Sequence, residues 1–380
     1  MHEKGAGSVL DAGGQVVIPA LVDAHVHLDK AHLLAASDLV SAGARGVEGA
    51  INAMRQVRRN VSSHVIAEGA RRALHTLVRH GTVAARVHVE IDEDGALDLF
   101  HLHRTLQDEF AGIIELQLVA FPQHGITPRT LALMEAAVIE GVDVIGGCPY
   151  ADEDQLAHLD AVFGLADRRG LPVDLHLDFD DDPQGSMVEA VTQRTRALGM
   201  GGQVTIGHVT KLAAMEPNEQ RRCLDLLAEA DVALVVMPAT DLYLNGSGEP
   251  GTRSMAPIDR AAAAGVRVAV SNNNIHNAFS PYGNGSLLQA AWTAGLARQM
   301  GSVTDRSILL DAVTHGPASI LGRKRHGTLP GERADIVVLD TKDPDNVVLQ
   351  MPSVSATLLG GRLTYHRQAL GLHDTAGARS

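Results

Sequence analysis

Short runs of Val, Ile, Leu and Ala recur along the chain, separated by longer Ala-, Leu- and Arg-rich segments of helical period. The short runs predict eight strands, at 16–28, 83–91, 113–121, 142–147, 172–177, 204–209, 232–237 and 266–271. The segments between them predict helices at 47–59, 65–80, 97–110, 128–140, 153–169, 187–198, 219–230 and 255–264, and two more follow at 286–300 and 305–321. Several predicted helices end on Gly, as in RHG, RRG and AAG, where a left-handed residue closes a helix without a Cβ clash. Eight evenly spaced strand–helix units predict an α/β fold, a (β/α)8 TIM barrel, over its rival, an open doubly wound sheet. Near the end the rhythm changes. Residues 327–343 and 347–366 read as strands joined by turns, and with residues 9–17 they predict a small, reduced β-sandwich formed from both termini. The expected division is 1–20 plus 327–368 for the sandwich, 21–326 for the barrel and 369–380 for a tail.

Composition narrows the class of function. The chain has 380 residues, 45% of them hydrophobic, enough for a large core. The formal net charge is -13, there is no Lys/Arg cluster, and only 5 of the 32 basic residues are Lys. That balance argues against nucleic acid or an anionic membrane as the main partner and leaves a small molecule. No apolar run reaches the length of a membrane helix. The opening MHEKGAGSVLDAGG lacks the apolar centre of a signal peptide, so a cytoplasmic location is expected. Two cysteines, Cys148 and Cys223, make no disulfide framework.

The chemistry stands at predicted strand ends, where barrel enzymes place their active sites. The first predicted strand ends in DAHVHLDK. Residues two apart on a strand share a face, so His25 and His27 can both point at the barrel axis and share a metal. The fifth ends in DLHLDFDDDP with His176, the sixth in TIGHVTKL with His208, the third in VAFPQHG with Gln123 and His124, and the eighth in SNNN. Any one of these histidines, taken alone, is an ordinary hydrogen-bonded residue; the joint pattern of HxH plus single histidines on two further strand ends points to a metal site. Three imidazoles around a divalent ion with an open position suit zinc or iron.

DAHVHLDK, VAFPQ, GGCP, DLHLDFDDDP, GHVTKL and SPYGNG, running in order from about Asp11 to Arg362, resemble the amidohydrolase superfamily, and within it the cytosine-deaminase-like branch. The resemblance implies a metal-dependent hydrolase acting on a C–N bond, by deamination or amide/amine cleavage, of a small N-heterocyclic substrate. It implies metal ligands at His25, His27 and His176, with zinc as the expected ion and iron or manganese as the other candidates. It implies that His208 contacts the attacking water or the substrate, and that Gln123 grips the amide edge of the ring. By analogy with relatives of this fold, assembly into a homo-oligomer is also an expectation.

Two departures from the branch change the chemistry. Where it carries a proton-shuttling Glu three residues after the strand 5 histidine, this chain has Phe179. Where it carries a metal-binding Asp, alignment on SPYGNG gives Asn273. Phe179 can wall a pocket and stack on a flat substrate, but it moves no proton. Asn273 is neutral, so a metal-free site and an anionic substrate both enter as alternatives. Asp178, two residues beyond His176 and on the same expected face, is the candidate replacement for proton handling; His276, three residues past Asn273, is a further candidate in the site. The alternative readings are a non-hydrolytic enzyme of lyase, cyclase or isomerase type, or a non-catalytic binder, on the same barrel. About 24 residues precede His25, fewer than the branch usually has before HxH, which is why the sandwich is expected to be reduced.

Overall fold

The computed structural model describes residues 9–38, 46–246 and 253–368. The chain start and the tail expected at 369–380 lie outside the described residues. Among the described residues, twelve strands fall into two sheets. Eight are parallel and consecutive: β2 (Leu21–Val26), β3 (Thr82–Glu90), β4 (Glu115–Phe121), β5 (Val144–Gly147), β6 (Val173–Leu177), β7 (Val204–His208), β8 (Val232–Val236) and β9 (Val268–Val270). Helices connect them, and the sheet comes around to its start: Asn273 N–H donates to His25 C=O at 2.9 Å and its C=O accepts from His27 N–H at 2.8 Å. The result is the expected (β/α)8 barrel.

The predicted strand at 16–28 is two elements. β1 (Val16–Pro19) leaves the barrel after Ala20 and pairs antiparallel with β10 (Ile336–Leu339), Val16 opposite Leu339. β11 (Val354–Leu359) and β12 (Arg362–His366) complete one four-stranded antiparallel sheet in the order β1-β10-β11-β12. The hinge is fixed by polar contacts: Ala20 N–H donates to Asp335 C=O at 2.9 Å, and His326 Nε2 lies 2.8 Å from Ala20 C=O. Asp335 binds Arg323 at 2.6 Å and Gly360 N–H at 2.7 Å, while Glu115, on the barrel, pairs with Arg323 and Arg333.

Strand alternation sorts the buried residues. On β8, Val232, Leu234 and Val236 join the large apolar layer between barrel and helices, while Ala233 and Val235 pack with Ala24, Met237 and Ala269 in a second cluster. On β3 the other parity carries Arg86, His88 and Glu90, all buried. Helix ends follow their local signals: Ser62 accepts from Val65 N–H ahead of Ser63–Arg79, Gly170 closes Gln155–Arg169 in the left-handed region, and a reciprocal Ser302/Asp305 box starts Val303–Asp311. The helix expected at 305–321 is broken into Val303–Asp311 and His315–Ile320. The short helices Lys211–Ala214 and Pro238–Leu244, each following a strand end, had no periodic signal to announce them. Among the described residues, no helix is long and apolar enough to cross a membrane. Cys148 and Cys223 are both buried and free.

Candidate active site

Three imidazoles meet at the C-terminal end of the barrel. The Nε2 atoms of His25, His27 and His176 form a triangle with sides of 3.4, 3.2 and 3.1 Å. Hydrogen bonds cannot close such a triangle, because a neutral Nε2 is either a donor or an acceptor and never both. The spacing does suit three nitrogens sharing one ion at about 2.0–2.1 Å and near-tetrahedral angles. Electrostatics agree. Burial, then the neighbouring His88 and His176 charges, push His25 well below the ordinary histidine pKa. Burial and Lys30 do so for His27, and burial and His88 for His176. The three rings are therefore neutral, the form that binds a metal. Gly207 leaves room for this packing, since a Cβ there would stand 3.3 Å from His25 Nδ1.

A cavity of about 10 Å³ adjoins the cluster, room for about one water. Besides His27 and His176, its lining comes from Lys30, Gln123, Tyr150 and Phe179 on one part and His208, Asn273, Asn274 and Phe279 on the other. A flat ring enters only if these walls part. His208 leaves the strand alternation because it and Val209 both have left-handed backbones, φ 69° and 48°. For a β-branched Val that is a strained conformation of the kind found at functional sites. His208 Nδ1 lies 2.7 Å from Asp241 Oδ1, and Asp241 Oδ2 accepts from Met237 N–H at 2.9 Å. This fixes Nδ1 as the protonated nitrogen and leaves Nε2 as the free one. Phe179 stacks on the His208 ring. Gln123 Nε2 approaches Cys148 Sγ at 3.5 Å.

The three asparagines take three directions. Asn272 Nδ2 donates to Asp23 Oδ2 at 2.7 Å across the barrel seam. Asn273 sits at φ 57° and faces the cavity. Asn274 Nδ2 donates to Asn273 Oδ1 at 2.9 Å. Gly283, from the SPYGNG segment, packs so tightly on this turn that a Cβ would lie 1.8 Å from Asn274 C=O.

Beneath the triangle lies a buried polar stack. His88 lies face to face with His25, ring centroids 3.6 Å apart, and its Nε2 is 3.1 Å from Asp174 Oδ1. Asp174 Oδ2 accepts from Arg86 at 2.7 Å, and Arg86 also donates to Gln117, Thr205 and Ile320 C=O. Beside the cavity, Lys30 and Arg58 both bind Glu90. Burial raises the Glu90 pKa, but the two cations outweigh it and hold the carboxyl low. Glu90, Asp92 and His124 also lie close enough together to suggest a cation site. Lys30 on Glu90, with Arg58 on Glu90 and Asp92, already supplies the positive charge there.

The structure thus brings His25, His27, His176, His208, Gln123, Phe179 and Asn273 to one place. It does not bring Asp178 there. At φ 49° its side chain turns off the strand alternation, and its carboxylate accepts from Ser186 Oγ at 2.5 Å and Met187 N–H at 3.1 Å, just ahead of the helix Val188–Ala197. His276 lies off the cavity lining, with Nδ1 3.1 Å from Pro281 C=O and its ring against His32. Lys30, His88, Tyr150 and Asp241 went unremarked in the sequence. His88 and Glu90 satisfy the same two-apart strand rule that singled out His25 and His27; Asp241 carries no local signal.

Residues 8–137 and 128–365 match the Amidohydrolase family, nearly the full length of the chain. A pterin deaminase from Rhizobium rhizogenes is 28% identical over 333 residues, 86% of this chain and 75% of that protein. The crystal structure of 5-methylcytosine deaminase from Klebsiella pneumoniae liganded with phosphonocytosine superposes with a TM-score of 0.90 at 25% identity, covering 98% of this chain and 92% of that one. That of N-isopropylammelide isopropylaminohydrolase from Burkholderia multivorans gives 0.80 at 30% identity, covering 93% and 87%.

Proposed function

The chain belongs to the amidohydrolase family, and from that premise we propose that it is a metal-dependent hydrolase cleaving an exocyclic C–N bond of a small N-heterocycle. The observation that carries this reading is the triangle of neutral Nε2 atoms beside a polar cavity. His25, His27 and His176 would hold one divalent ion, with zinc as the first choice for an all-imidazole set. When bound, the ion acidifies water and polarises the carbon under attack.

The other groups divide the remaining work. His208 Nε2, held toward the site by Asp241, accepts a proton from the attacking water and returns it to the departing nitrogen. Gln123 reads an amide-like edge of the ring with its paired donor and acceptor. Lys30 places a positive charge beside the cavity and favours a substrate with an oxo or anionic group. Phe179 covers the His208 face and keeps water out, in place of a second proton carrier.

The test combines metal analysis of the purified protein with a screen for ammonia or amine release from aminated and N-alkylated pyrimidines, triazines and pterins, before and after reconstitution with zinc, iron or manganese. One equivalent of metal and metal-dependent release from at least one ring class are expected. A folded protein that takes up none of the three metals would refute the reading.

A further inference from the structure

We propose that Asn273 is a hydrogen-bond donor in the site, so that the ring bound there must offer it an acceptor, an oxo group or an unprotonated ring nitrogen. This inference rests on the heterocycle-hydrolase reading for the identity of the ligand, but the orientation of the amide stands on geometry alone.

The orientation is set from Asn277, four residues past Asn273. Asn277 Oδ1 receives two backbone N–H groups, from Phe279 at 2.9 Å and Ser280 at 3.2 Å. A backbone N–H only donates, so that side of Asn277 must be its oxygen. Its Nδ2 then donates to Asn274 Oδ1 at 2.8 Å and to Lys30 C=O at 3.3 Å, and a carbonyl only accepts. Asn277 is pinned at both ends. Because it donates to Asn274, the Asn274 atom facing it is an oxygen. The other end of Asn274 is therefore Nδ2, which donates to Asn273 at 2.9 Å. That makes the Asn273 atom turned toward Asn274 its oxygen. All six residues involved, Lys30, Phe279 and Ser280 included, are buried, which removes bulk water as a competitor that would let the amides flip.

The polarity of the chain thus runs one way, from two backbone N–H groups to the Asn273 carbonyl. Asn273 lines the cavity, and its Nδ2 has no partner among the described residues. Those N–H groups are what the site offers a ligand. A buried donor left without an acceptor is costly, so a ring that presents an N–H or a C–H there is rejected more strongly than one that presents oxygen is rewarded. A carboxylate at this position would impose the opposite preference. Lys30, also a donor, lines the same cavity, so two donors favour a ligand rich in acceptors.

Neutron diffraction from deuterium-exchanged crystals of the full chain reads the orientation directly. Two deuterons on the Asn273 side-chain atom facing the cavity are expected; deuterons aimed at Asn274, with oxygen facing the cavity, overturn the proposal. Zinc titration against a chromophoric chelator gives a second, independent readout. An amide presenting nitrogen offers the ion no lone pair, so Asn273→Gly, which keeps the left-handed backbone without strain, should change zinc affinity by less than twofold, while Asn273→Asp should tighten it at least tenfold. A tenfold loss in Asn273→Gly would mean that the oxygen ligates, against the proposal. The hydrolase reading fails by a different result, absence of zinc uptake by the wild type, and the neutron orientation decides the amide question in that case too.

Discussion

Phe179 and His208 lie face to face, ring centroids 3.7 Å apart and planes 19° from parallel, with Phe179 95% buried. The aromatic ring thus fills the space next to the one imidazole that is both outside the triangle and on the cavity. Phe179→Ala should lower stability by about 3–5 kcal/mol through lost burial and a cavity, read as a shift in the urea midpoint. Phe179→Leu, closer in volume, should retain most of that stability.

Asp241 holds His208 by its Nδ1, so Asp241→Asn presents the wrong hydrogen-bonding group to the ring. The expected result is a loss on the order of 10²–10⁴ in kcat/KM with unchanged zinc content. An equal loss of zinc would instead make Asp241 part of the metal scaffold.

Zinc binding to the folded chain alone should raise its thermal stability. Mass action gives about 2.7 kcal/mol when free zinc is 100 times its dissociation constant. A chelator should reverse the shift, and His176→Ala should abolish it, as followed by calorimetry.

Arg86 and Asp174 form an ion pair inside the barrel, both almost fully buried. Removing one partner strands the other, so Arg86→Met should cost about 3–5 kcal/mol. The double change Arg86→Met with Asp174→Asn should cost less than Arg86→Met alone, and a denaturant double-mutant cycle measures the difference.

At the joint between barrel and small sheet, burial alone would raise the Asp335 pKa, but contacts from His326, Gly360 N–H and Arg323 outweigh it and bring it down to about 2. A carboxyl depressed on folding contributes stability above its unfolded pKa of about 3.9, and that contribution is lost as pH falls through about 2. The unfolding free energy from urea titrations should therefore fall between about pH 4 and pH 2 by on the order of 1–2 kcal/mol, and Asp335→Asn should flatten that part of the profile.

The barrel was legible in the sequence because eight β-rich runs alternate with helical periods, a pattern set by neighbours a few residues apart. The histidine pair at 25 and 27 was legible for the same reason, since strand parity is local. The proton-handling candidate Asp178 followed from that parity too, and parity fails where a residue turns left-handed, as Asp178 does at φ 49°. Asp241 and Lys30 act through partners 33 and 60 residues away. No spacing rule reaches so far. The single predicted strand at 16–28 hid a change of sheet at Ala20, because both halves are equally apolar and only the pairing partner differs.

The left-handed backbone of Asn273 has a consequence for heredity. Its amide and carbonyl lace the first barrel strand to the last, so the conformation there belongs to the frame and cannot be traded away. At φ near 57° the non-glycine residues most at ease are Asn and Asp. Apart from glycine, Asn and Asp are thus among the residues that this position takes with least strain, one neutral and one charged. A lineage that gave up the acid could exchange it for the amide by altering one functional group, leaving the architecture intact while the site acquired a different taste in ligands.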